Sequence, residues 1–135
     1  MRLIDSIILH CSASSREEDN DIEVIKRWHR ARGFRDVGYH YFCKPDGEMQ
    51  IGRAHHEVGA HCLKYNGSSI GICLHGLKEE DFTEEQFAAT IHLVNELIEK
   101  YDIHNIVGHS LLSNKTCPVF NVVDKILLQL KKPIK

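Results

Sequence analysis

The chain has 135 residues, 42% of them hydrophobic and 27% charged, with a formal net charge of -2. That length suits one domain with its own core, and the composition excludes a disordered chain. The near-neutral balance excludes nucleic acid as an electrostatically driven partner and offers no basic surface for membranes or walls.

The opening "MRLIDSIILH" is apolar, but Asp5 interrupts it and no small-residue cleavage site follows, so it does not read as a signal peptide. No run reaches the roughly 18 apolar residues of a membrane span. The expectation is a protein made and kept in the cytoplasm unless other machinery releases it. "LIDSIILH" has the length and branching of a strand and delivers His10 at its C-terminal end. After the polar "CSASSREED", Asn20 with Glu23 resembles a capping box. Ile22, Ile25 and Trp28 recur at helical spacing, and Gly33 is a natural stop.

"VGYHYFCKPDGEMQIGR" reads as a hairpin turning at "KPDG". Strand alternation puts Tyr39 and Tyr41 on one face, His40 and Phe42 on the other. Residues 53–67 are polar, His-rich and without period, which predicts a long surface loop. "SSIGICLHG" is nearly continuous in apolar residues, the pattern of a central strand. Thr83 and Gln86 form a second capping box. They precede a helix to Tyr101 that buries Phe87, Ile91, Val94, Leu97 and Ile98. "IHNIV" is the last strand. Pro118 fits the first turn of a final helix burying Val122, Val123, Ile126, Leu127 and Leu130. The order β-α-β-β-β-α-β-α, without repeat or linker, predicts a single α/β domain over residues 1–135, with helices flanking a mixed sheet.

Five cysteines cannot all pair, and none are spaced CxxC, so the chain reads as reduced, with Cys43 and Cys73 as small core residues. Ten histidines are the compositional outlier and justify a search for a metal site. His10 and His109 follow the first and last strands in the same way. If those strands are parallel neighbours, both imidazoles emerge on one rim of the sheet, and Cys117 can fold back to it. Two imidazoles and a thiolate make a three-ligand zinc site with one position open. The plainer alternatives are hydrogen-bonded surface histidines and a buried cysteine. A third is a cysteine nucleophile activated by His109, although no cysteine-hydrolase signature surrounds it.

"ILHCSAS", "RWHRARGFRDVGYHYFCKPDGEMQIGR", "VGAHCLKYNGSSIGICLHG" and "VGHSLLSNKTCP" resemble, in order, the signature segments of the type 2 N-acetylmuramoyl-L-alanine amidases. That family includes phage lysozyme amidases and peptidoglycan recognition proteins. The resemblance spans roughly residues 3 to 120. It implies a peptidoglycan recognition protein-like fold, Zn2+ on His10, His109 and Cys117, and cleavage of the bond between N-acetylmuramic acid and L-alanine in peptidoglycan. It implies further that Tyr39 projects toward the water at the metal and that Lys115 stabilises the charge on the amide oxygen. His61 and Asn66 fall where the family places groove-lining polar residues, for glycan and peptide contact. His55 and His56 have no such assignment and read as exposed loop residues. His29, His92 and His104 read as structural or surface positions.

The family commonly continues the second metal histidine as "GHRD", where this chain has "GHSLL", so altered anchoring of that loop is expected. The resemblance also implies a phage or prophage endolysin acting on the wall after release; the sequence gives no oligomeric state, with a monomer favoured. The rival within the family is a binding module without chemistry. Several recognition proteins in the family have lost the cysteine ligand, so the presence of Cys117 here argues against that class.

Overall fold

The computed structural model describes residues 2–112, 117–131 and 134. Five strands form one mixed sheet: β1 (Ser6–Cys11), β2 (Tyr41–Cys43), β3 (Met49–Ile51), β4 (Ser69–Leu74) and β5 (Asn105–Gly108). Their spatial order is β3-β2-β4-β1-β5, so β4 is central, as its apolar run predicts. β1 pairs parallel with both β4 and β5, β2 pairs parallel with β4, and β2–β3 is the antiparallel hairpin.

The helices α1 (Ile22–Ala31) and α2 (Glu84–Lys100) cover opposite faces of the sheet. Strand alternation explains what each meets. Ile7 and Leu9 of β1 and Ile70, Ile72 and Leu74 of β4 join Phe87, Val94, Leu97 and Ile98 of α2 in the larger core cluster. On the other face Phe42 and Cys73 pack with Ile22, Ile25 and Val37. Because both faces are covered, all six residues of β4 are buried. Cys43 and Cys73 are core residues with no exposed surface.

α2 begins with the expected capping box, Thr83 Oγ1 accepting from the Gln86 N–H and Gln86 Oε1 from the Thr83 N–H. α1 starts one residue later than the sequence suggests: Asp21 is the N-cap, its carboxylate accepting from the Glu23 N–H. Trp28 is not a core residue. It is 38% exposed, because the core stripe of α1 runs through Ile22 and Ile25 and leaves Trp28 at its margin.

Three further expectations are corrected. Regular pairing starts only at Tyr41, so alternation does not extend back to Tyr39. Tyr39 packs with the α1 cluster, whereas Tyr41 packs with the α2 cluster and reaches His55 and the Tyr101 region through its hydroxyl. The segment 53–67 is not a simple surface loop. The buried Arg53 guanidinium donates to the Val37 and Val58 carbonyls, and Arg2 donates to those of His55 and Ser69, which fastens the loop to the sheet. His55 is thereby half-buried between the Tyr41 and Tyr101 hydroxyls, while His56 is exposed. Finally, Pro118 does not open a long helix. Val119 has φ 77, and the chain makes only a helical turn at Val122–Lys125 and a 3-10 turn at Leu127–Gln129. Ile126 is fully buried, but Val123 is 50% exposed.

His40 shows that fastening the loop brings acid sensitivity with it. Burial pushes its imidazole down to about 4 from 6.5, and both nitrogens are engaged, Nδ1 accepting from the Gly71 N–H and Nε2 facing the Glu57 carbonyl. With the folded value depressed, the unfolded chain binds more protons between these two values. The contribution is complete above pH 6.5 and is lost as pH falls through about 4. The gap corresponds to about 3 kcal/mol. Urea melts at pH 7 and pH 4.5 should show this loss, and His40→Asn, which keeps an acceptor for Gly71, should show a flatter pH dependence. Equal slopes would assign the acid sensitivity elsewhere.

Candidate metal centre

The register of β1 with β5 ends at Leu9 opposite Gly108, so the next residues, His10 and His109, leave the same edge of the sheet side by side. Their rings lie 4.5 Å apart between centroids. After His109 the chain makes one helical turn, α3 (His109–Leu112). The Ser110 N–H donates to the Cys117 carbonyl at 2.6 Å, which folds Cys117 back beside β1. Gly108 permits this return, since a Cβ there would lie 2.6 Å from the Pro118 ring. The serine of "GHSLL" thus anchors the loop through its backbone.

One ligand atom from each of His10, His109 and Cys117 lies within 4.8 Å of the others. Ligands about 2.0–2.3 Å from a tetrahedral zinc stand about 3.3–3.8 Å apart, so small side-chain adjustments suffice. Two imidazoles and one thiol are also the donor chemistry that zinc favours. His10 is buried, whereas His109 and Cys117 are half-buried, so the cluster opens on one side.

The cluster forms the floor of a cleft of about 710 Å³. Tyr39, His61, Asn66, Trp28, Phe34 and Leu63 contribute to its walls. The Tyr39 ring lies 5.0 Å from that of His10. Burial first, then the nearby Cys73, Cys117 and Cys11 thiols, hold the Tyr39 phenol well above its ordinary value. It therefore keeps its proton at neutral pH.

Sequence reasoning alone misses Cys11. Its Sγ lies 3.0 Å from that of Cys117, and its N–H also donates to the Cys117 sulfur. The shared sulfur–sulfur hydrogen bond raises the Cys117 thiol and lowers Cys11, while the Cys11 N–H opposes the rise at Cys117. The adjacency "HC" at the end of β1 is the available signal. Ser69 is missed as well; it contacts His61 from the start of β4.

His61 and Asn66 both border the cleft, but much of their polarity is turned inward. Asn66 Oδ1 accepts from the His61 and Cys62 N–H groups at 2.9 and 2.8 Å. Any ligand contact from Asn66 therefore falls to its amide nitrogen. His61 faces His10 and Ser69 with its two ring nitrogens. Lys115 lies outside the described residues. His29 is buried in α1 and accepts from the Gly38 N–H, and His92 and His104 stand on the surface beside Glu96 and Asp102.

A family model described as N-acetylmuramoyl-L-alanine amidase matches residues 1–120. The endolysin of Escherichia phage T7 is 35% identical over 124 residues, 87% of this chain and 82% of the phage protein. Peptidoglycan-recognition protein SC2 of Drosophila melanogaster is 27% identical, over 78% of this chain and 60% of its own length. Among solved structures, the amidase LysC from Clostridium intestinale URNW superposes with a TM-score of 0.83 at 27% identity, covering 95% of this chain and 87% of LysC. The ectodomain complex of peptidoglycan recognition proteins LCa and LCx, solved with tracheal cytotoxin bound, gives 0.75 at 27% identity, covering 87% and 77%.

Proposed function

This chain belongs to the N-acetylmuramoyl-L-alanine amidase family and is an amidase, and from that premise we propose that it is zinc-dependent and cuts the bond between N-acetylmuramic acid and L-alanine in peptidoglycan. The observation that carries the reading is the convergence of His10, His109 and Cys117 at the floor of the cleft. We take the catalytic domain to span residues 1–135. The match to phage endolysins supports an endolysin of phage or prophage origin that acts on the wall after release. Among the described residues, no helix is long and apolar enough to cross a membrane.

His10, His109 and Cys117 would hold the zinc. When bound, zinc supplies a Lewis acid and lowers the pKa of a bound water from 15.7 to about 7. The chain's own residues do the rest. The Cys11 N–H stabilises the thiolate form of Cys117. The Tyr39 phenol, kept protonated, donates a hydrogen bond toward the reacting amide and shares in proton transfer to the leaving nitrogen. Lys115, two residues before Cys117 in the sequence, stabilises the oxygen that gains negative charge in the tetrahedral intermediate. His61 and Asn66 border the groove for glycan and stem peptide, against the apolar wall of Trp28, Phe34 and Leu63.

Mass spectrometry of muropeptides after digestion of purified sacculi tests the reaction. Free stem peptides beginning with L-alanine are expected, together with glycan strands carrying an intact lactyl group. Binding to sacculi without release would instead mark a recognition module. Lys115→Ala should keep its zinc and its affinity for muramyl peptides but lose about 10² to 10³ in kcat and kcat/KM together. Lys115→Arg should recover only part of that loss, because a planar fork does not reproduce a compact ammonium at one oxygen. Near-normal turnover of Lys115→Ala would remove the lysine from the mechanism.

A further inference from the structure

A chain of hydrogen bonds reaches His10 through the ring of His61. His10 Nε2 lies 2.8 Å from His61 Nδ1, His61 Nε2 lies 3.2 Å from Ser69 Oγ, and Ser69 Oγ lies 2.7 Å from the Tyr65 carbonyl oxygen. All three side chains are buried, at 1%, 9% and 0% exposure for His10, His61 and Ser69.

The direction of every proton in this chain follows from its last member. A carbonyl oxygen only accepts, so the single Ser69 hydroxyl proton points at Tyr65. Ser69 Oγ must then accept, and His61 Nε2 must carry a hydrogen. A second proton on the His61 ring would create a cation in a buried ring whose two nitrogens face only the His10 imidazole and the Ser69 hydroxyl, neither of them a carboxylate. His61 is therefore neutral, its Nδ1 is an acceptor, and the proton between the two rings belongs to His10 Nε2. His10 is left with its unshared pair on Nδ1.

Backbone features hold this arrangement in place. The His61 ring lies directly over Gly71 of β4, where a Cβ would come within 2.7 Å of it. Asn66 Oδ1 grips the backbone on both sides of the His61 carbonyl, fixing the point from which the ring projects.

We infer that His61 is a positioning residue that, through Ser69 and the Tyr65 carbonyl, locks His10 in the Nε2–H tautomer and presents its Nδ1 as a preformed metal donor. This rests on the reading of His10 as a zinc ligand and adds to it a role for His61 distinct from lining the groove. A ligating imidazole whose other nitrogen has a fixed acceptor is oriented and made more basic. Loss of such a partner weakens metal affinity by about 10- to 100-fold.

Two measurements on the full chain test it. Long-range 1H–15N spectra of the zinc-free protein report each histidine tautomer directly. His10 and His61 should both be Nε2–H, and His10 should become a tautomer mixture in His61→Ala. Competition with a chromogenic chelator gives zinc affinity, expected to fall about 10- to 100-fold in His61→Ala. In His61→Asn the side-chain oxygen replaces Nδ1 as acceptor, so affinity should return to near the wild-type value. An Nδ1–H tautomer at His10 in the wild type, or unchanged zinc affinity in folded His61→Ala, would overturn the inference. Should His61→Ala fail to fold, Ser69→Ala and the wild-type tautomers decide it. A wild-type protein that binds no zinc would instead overturn the metal reading, and the wild-type tautomers alone would then support or overturn the relay.

Discussion

Cys117→Ala protein should be isolated without metal and release no stem peptide from sacculi, while wild-type protein carries about one zinc per chain. Two imidazoles alone leave a site short of the three protein donors that catalytic zinc requires, so the loss should be close to complete. His10→Ala should behave alike. Added zinc should also raise the melting temperature of the wild type and leave both variants unmoved. Ligand binding to the folded state alone stabilises it by about 4 kcal/mol at a thousandfold excess over Kd. Full zinc occupancy in Cys117→Ala would end the metal reading.

The same experiment separates a cysteine hydrolase, which a chelator should spare. The structure already weighs against that rival. A nucleophilic thiol needs a depressed pKa, whereas the hydrogen bond with Cys11 and burial together push Cys117 upward. Coordination to a cation is the interaction that would draw that proton away.

Tyr39→Phe should retain zinc, fold and substrate affinity, yet lose about 10² to 10⁴ in kcat, the range for a proton-transfer group. The substitution removes only the hydroxyl that burial and the neighbouring thiols keep protonated. Tyr41→Phe is the matched control. Its hydroxyl contacts His55 outside the cleft, so the change should cost about 1 kcal/mol of stability and little rate. Zinc content and sacculus-digestion rates on both variants distinguish the two phenols. A rate loss in Tyr41→Phe with none in Tyr39→Phe would mean that the wrong phenol has been chosen.

The contrast between these tyrosines shows where sequence patterns carry structural information. Alternation holds within β1 and β4, where ladder bonds on both sides enforce the pleat, and the apolar run of β4 predicts its central place. It fails at Tyr39, two residues before the ladder begins. The capping box of Thr83 and Gln86 is a local device and is legible locally, whereas the start of α1 expected at Asn20 falls one residue later, at Asp21. The final segment has an apolar period, but the chain takes a positive φ at Val119 and makes only short turns after it. At the site, the family resemblance groups His10, His109 and Cys117 without reference to any contact. Ser69 has no local signal and Cys11 only its adjacency to His10, because each matters through a residue distant in sequence.

The pairing of β1 with β5 sets the order in which this protein can be completed. The donors come from the first strand and from just beyond the last, so nearly the whole chain must be closed into a loop before they meet. Contacts of such long sequence separation carry the entropy of loop closure and form only after more local structure exists to offset it. Hairpin and helix contacts can arise in a nascent chain, but the corner that gathers His10, His109 and Cys117 cannot exist until the C-terminal segment has been synthesised and docked. On the zinc reading proposed above, catalytic competence would be withheld from truncated or half-folded chains, and an ion held across that corner would link the two ends of the molecule, making escape of the metal and separation of the terminal strands one event.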